Sequence, residues 1–127
     1  MTTDLKTLYD RAGGTPFFEA LVGSFYAGVE TDPILRAIYP EPDLTGAAHR
    51  LTLFLTQYWG GPRTYDDERG HPRLRMRHFP FAIGPTERDR WLVHMRAALA
   101  ELAPPDDVAA ELERYFALAA EAMRNRD

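Results

Sequence analysis

Apolar residues recur along this chain at the spacing of helical faces, and polar breaks separate the runs. Leu5, Leu8 and Tyr9 predict a short opening helix behind an Asp4 cap, stopped by Gly13 and Gly14. Thr15 and Pro16 then supply a cap and a first-turn proline. Behind them Phe17, Phe18, Leu21, Val22, Phe25, Tyr26 and Val29 fall on one face. Asp32 and Pro33 repeat the device for a short helix carrying Ile34, Leu35, Ile38 and Tyr39, with Pro40 as its end. From Asp43, the positions Leu44, Ala47, Ala48, Leu51, Phe54, Leu55 and Tyr58 form another face, which Trp59-Gly60-Gly61-Pro62 stops.

Residues 61–73 are the longest polar stretch, and their glycines, prolines and charges predict a functional loop in place of an ordinary helix. Gly84 and Pro85 open a long helix with Trp91, Leu92, Met95, Ala98, Leu99 and Leu102 on its stripe, broken by Pro104 and Pro105. A last helix starts near Asp106, carries Val108, Leu112, Tyr115, Phe116 and Ala119, and frays into Arg124-Asn125-Arg126-Asp127. The segment 73–79 alternates charged and apolar residues as a strand would, yet a lone strand has no partner for its backbone. A short helix placing Leu74 and His78 on one face is the better reading. The pattern is that of an all-α fold, one domain around one core.

Composition narrows the chemistry. None of the 127 residues is cysteine, which excludes disulfides, zinc ribbons, iron–sulfur clusters and thiolate-ligated haem. A net charge of −4 gives no overall attraction to nucleic acid or anionic membrane. No apolar run is long enough for a membrane span, and the first residues do not read as a signal peptide, so a cytoplasmic protein is expected.

The four histidines lack paired metal-ligand spacing. His49 and His71 read as solvated, and His94 as a half-buried packing residue. His78 shares an apolar face with Leu74 beside Arg77, Phe79 and Phe81; taken alone, it is more often a satisfied core histidine than a ligand. The aromatic donors shift that balance. Tyr26, Tyr39 and Trp91 sit on apolar faces of three helices that carry no Asp, Glu or Asn, and buried donors need acceptors. Backbone carbonyls could serve each one singly. For all three together, a bound acceptor in a pocket is the alternative. Arg73, Arg75 and Arg77 read as a solvated face or an anion clamp, since net acidity argues against nucleic acid, and Arg77 suits a carboxylate-bearing planar ligand.

Several stretches then carry a family resemblance: Phe25-Tyr26, residues 40–54, Tyr58-Trp59-Gly60-Gly61-Pro62-Arg63-Thr64-Tyr65, Gly70 through Phe81, and Glu87 through Trp91. Together these resemble the group II truncated haemoglobins, most of all the actinobacterial branch called haemoglobin O, from about Leu8 to the last helix. The resemblance implies a two-over-two helical sandwich around one haem b. It implies His78 as the proximal iron ligand, with Tyr26, Tyr39, Ala47 and Trp91 on the distal side. Leu51, Phe54 and Leu55 match apolar pocket residues, and Arg50, Tyr65 and Arg77 match residues near the haem propionates. Gly84-Pro85 departs from the hydroxyl cap common in relatives. The implied ligands are oxygen, nitric oxide and carbon monoxide. Without a flavin or nicotinamide motif, redox turnover needs an external reductase. Three functions follow: a diatomic-ligand binder, a nitric oxide dioxygenase or peroxidase-like enzyme, and a haem-free helical module. The oligomeric state stays open, a homodimer included.

Overall fold

The computed structural model describes residues 6–127 and is helical throughout, without a strand among the described residues. The expected cap at Asp4 and the contact position Leu5 lie outside the described residues. Within them, α1 (Leu8–Ala12) is capped by the Thr7 hydroxyl, which accepts from the Asp10 N–H. Gly13 and Gly14 follow with φ of 112° and 77°, a left-handed corner that glycine adopts without strain. The cap of α2 (Thr15–Glu30) is therefore Gly14, and Thr15 is the first helical residue, its hydroxyl engaged with the Tyr9 phenol at 2.6 Å.

The short helix α3 (Pro33–Arg36) ends before the predicted Tyr39. Pro40 disfavours helical backbone at the residue before it. The Arg36 guanidinium then holds residues 39–42 by donating to the carbonyls of Tyr39, Glu41 and Pro42. Helix α4 (Thr45–Tyr58) ends at the glycine pair as predicted. A Cβ on Gly61 would lie 2.6 Å from the Tyr9 ring and 2.8 Å from the Thr56 carbonyl, so this turn has room for no side chain.

The stretch 61–73 departs from expectation. It contains α5 (Thr64–Arg69), not a continuous loop. The cause is tertiary: buried Tyr65 packs edge-on to Phe54, and the Gln57 amide brackets Asp66, accepting from its N–H and donating to its carboxylate, both at 2.9 Å. Segment 73–79 is helical as read, with α6 spanning Leu74–His78. The long helices α7 (Pro85–Leu102) and α8 (Asp106–Met123) complete the chain.

Helices α2 and α4 form one layer and α7 and α8 the other, with α2 lying across α7. The two-over-two sandwich is present. Phe18, Leu21, Phe25, Val29, Met95, Leu112 and Phe116 fill its centre as fully buried side chains. Burying a Leu, Val, Met or Phe side chain stabilises by about 1.5–3 kcal/mol each, so these long helices are held by packing more than by propensity.

Candidate functional site

Between the layers lies a cavity of about 540 Å³, within the range of small-molecule and cofactor sites. All eleven residues singled out from the sequence line it: Tyr26, Tyr39, Ala47, Arg50, Leu51, Phe54, Leu55, Tyr65, Arg77, His78 and Trp91. They come from six elements or their flanks, so only the folded chain assembles them.

His78 closes α6, where its Nδ1 lies 2.7 Å from the Leu74 carbonyl one turn back. A carbonyl only accepts, so Nδ1 carries the proton and Nε2 keeps a free lone pair. That tautomer suits a metal ligand, and the bond fixes the ring plane. Three devices hold this short helix. Arg77 donates through Nε to the Pro72 carbonyl at 2.7 Å and through Nη2 to the Arg69 carbonyl at 3.1 Å, closing the turn ahead of α6. Arg73 enters α6 in the left-handed region, with φ of 44°. Behind the histidine, the Asn125 amide donates to the carbonyls of Phe81 (2.8 Å) and His78 (3.3 Å), while its oxygen accepts from the Ile83 N–H at 2.9 Å. The expected fraying at 124–127 is corrected here: Asn125 ties the tail to the segment behind His78, because a side-chain amide can both donate and accept.

Elsewhere on the cavity wall, Tyr26 and Tyr39 meet edge to face at 5.6 Å between ring centres, and Trp91 tilts against Phe25 at 5.1 Å. Burial pushes the Tyr26 phenol well above its ordinary pKa, with Tyr39 adding to the effect, and burial raises Tyr39 as well. Both hydroxyls stay protonated and able to donate. Ala47 is buried and lines the same cavity, its methyl group taking up little of the space. The expectation that these faces lack carboxylates is corrected in part. Glu41 lines the cavity next to Tyr39, but it is engaged with the Arg50 guanidinium at 2.5 Å.

The proposed propionate residues divide. Arg77 is committed through Nε and Nη2, leaving Nη1 as a free donor among the described residues, and Arg50 faces Glu41 through Nη2. Tyr65 is buried against Phe54. Arg69 also lines the cavity, exposed and without an ion pair among the described residues; the loop that the sequence predicts at 61–73 gives no sign of it. Tyr115, Ala119 and Met123 complete the cavity wall from α8; the apolar spacing of the first two reads only as core.

His94 is also clarified. Its Nε2 donates to buried Asp32 at 2.8 Å, and Arg90 donates to the same oxygen at 2.9 Å, while the other oxygen caps α3. It is a structural histidine, outside the cavity.

A bacterial-like globin family model matches residues 7–125. The chain belongs to that family. It is 45% identical over 86 residues to group 2 truncated hemoglobin YjbI of Bacillus subtilis, which is 68% of this chain and 64% of the relative. It is 31% identical to two-on-two hemoglobin-3 of Arabidopsis thaliana over 116 residues, 89% of this chain and 66% of that one. The chain thus spans just under two thirds of these curated relatives. Among solved globins, the Thermobifida fusca hemoglobin superposes with a TM-score of 0.93 at 57% identity, covering 94% of this chain and 98% of the other. The Bacillus anthracis group II truncated hemoglobin gives 0.93 at 37% identity over 98% and 96%. The resemblance to group II truncated haemoglobins is borne out.

Haem b, the prosthetic group of globins, is the cofactor this membership assigns to the cavity. The residues fit it. An imidazole with a free Nε2 faces an apolar slot of adequate volume, with guanidinium donors lining the same cavity for carboxylates.

Proposed function

We propose that this chain is a haem b protein that binds oxygen and other diatomic ligands and releases oxygen slowly. The observation carrying the reading is His78, oriented by Leu74 with Nε2 free, in one cavity with Tyr26, Tyr39 and Trp91. Haem supplies a ferrous iron with one position left for oxygen, nitric oxide or carbon monoxide. His78 holds the proximal side as the sole protein ligand. Tyr26, Tyr39 and Trp91 line the distal space as donors, and Ala47 leaves room for the ligand. Arg50, Tyr65 and Arg77 anchor the propionates, Arg77 through its remaining Nη1. Leu51, Phe54 and Leu55 keep water from the ring.

Trp91 is the dominant distal donor in this reading. An indole N–H can only donate, whereas the two phenols can satisfy one another. A hydrogen bond to the ligand contributes about 1–1.5 kcal/mol, which is roughly tenfold in affinity, carried mostly by the off-rate. Slow release favours redox handling of oxygen or nitric oxide over carriage, with electrons from a separate reductase. The test is stopped-flow oxygen dissociation from the haem-loaded protein. Trp91→Phe should release oxygen roughly tenfold faster, and Tyr26→Phe should change the rate less. A parent-like rate in Trp91→Phe beside a much faster one in Tyr26→Phe reverses the ranking.

A further inference from the structure

The proximal face carries a surface that the haem cavity does not explain. Residues 69–86 hold four arginines and no carboxylate, in a chain whose net charge is −4. Arg69, Arg73 and Arg75 are exposed, and none has an ion pair among the described residues. Elsewhere, cations are largely neutralised: Arg11, Arg50, Arg63, Arg88, Arg90 and Arg96 each face a carboxylate. Arg114 and Arg126 also lack an ion pair among the described residues, so the unpaired positive charge is concentrated at this face, not confined to it.

Within the same face stand two large apolar side chains, Met76 and Phe79, 60% and 70% exposed. They sit over a groove of about 390 Å³ lined by Arg75, Met76, Phe79, Pro80, Met123 and Asn125. Met123 also lines the main cavity, so one side chain separates the groove from the proximal pocket. An apolar centre rimmed by one sign of charge is the anatomy of an encounter surface. Small redox encounters rest on such charge complementarity, which steers association while burying little area.

We propose that the groove bounded by Arg75, Met76 and Phe79, together with exposed Arg73 at the head of α6, docks an acidic one-electron carrier protein, its carboxylates meeting the arginines and its apolar rim meeting Phe79. The proposal rests on the reductase-coupled reading above and names where the reductant binds. One electron would leave the partner's reduced centre and take bound haem from ferric to ferrous, with no bond made or broken. Charge selects this partner: the acidic remainder of the chain repels a polyanion or an anionic vesicle that extends beyond the patch, whereas a small carrier covers the patch alone.

The probe is an acidic [2Fe–2S] ferredoxin, oxidised, titrated into isotope-labelled, carbon-monoxide-ligated holoprotein and followed by NMR. Amide shifts are expected at 73–80 and 123–125. Affinity should fall about tenfold or more between low and high salt, and similarly in Arg73→Glu/Arg75→Glu, while Arg114→Glu, an exposed charge on α8, changes it less than about twofold. An unchanged Soret band in each variant shows that the pocket is intact. Equal weakening by both variants, salt-independent binding, shifts confined to other faces, or tighter binding to phosphatidylglycerol vesicles or single-stranded DNA overturns the proposal. Docking at the groove without haem reduction by the reduced ferredoxin upholds the surface and counts against the redox reading beneath it.

Discussion

Asp32 shows how much one side chain can carry. The sequence marks it as a helix cap, which it is, accepting from the N–H groups of Ile34 and Leu35. Its second oxygen takes His94 and Arg90 from α7, residues 62 and 58 positions away, which no local pattern reveals. The hydrogen bond from His94, then that from Arg90, pulls the carboxyl from the ordinary 3.8 to about 2. A depressed carboxyl contributes stability that is complete above its unfolded value and disappears as pH falls through the folded one. Between pH 3.8 and about 2, unfolding should therefore become easier, and Asp32→Asn should flatten that part of an acid-denaturation profile. Gly28 guards the same contact. A Cβ there would lie 2.4 Å from His94 Nδ1, so Gly28→Ala must push the imidazole away from Asp32. Alanine's helix preference returns about 1 kcal/mol, while loss of a charged hydrogen bond costs about 1.5–3. Urea denaturation should show net destabilisation of about 1 kcal/mol; a more stable variant would mean that His94 contributes little.

Among the elements, α6 is the least self-sufficient. Five residues make barely one turn, too short to be stable alone, and none of its side chains is buried. Its position comes from outside: Arg77 clamps the turn before it, and Asn125 holds the segment after it. The placement of His78 thus depends on a residue 47 positions away. Asn125→Ala should leave overall helicity intact and speed haem transfer to an acceptor protein about tenfold, the cost typical of removing outer support from a metal ligand. An unchanged transfer rate would mean that Leu74 and Arg77 suffice. The neighbouring α5 makes the same point from the sequence side. Glycines, prolines and acids at 61–73 predict loop by local preference, and buried Tyr65 with the Gln57–Asp66 pair overrides it. No window of sequence around Asp66 contains Gln57's contribution to it. The long helices needed no such help to be read, because their apolar stripes encode their burial directly.

At the scale of the whole molecule, a cavity of about 540 Å³ between two helical layers forgoes close packing that a bound cofactor restores. Haem binding to the folded state alone must then shift the unfolding equilibrium by mass action. The apoprotein should melt well below the holoprotein, with amide exchange rising first in α5 and α6 and last in α2 and α7. Uniform exchange across all elements on haem removal would show that the pocket is self-supporting. The sequence by itself determined the helical class, the bounds of the long helices, the apolar core and, through the family resemblance, eleven of the residues that meet in the cavity. These follow from short-range rules of period, capping and glycine or proline breaks, and from motifs whose residues are near neighbours in the chain. The tertiary structure alone decided the helix at 64–69, the Asp32–His94–Arg90 junction, the Asn125 tether and the commitment of Arg50 and Arg77 to partners within the protein. Each is a polar contact that no rule of helix period or capping pairs, or a backbone preference overruled by packing. Such contacts are fixed by where whole helices lie, and helix placement is set by the summed fit of the core, not by any residue's neighbours along the chain.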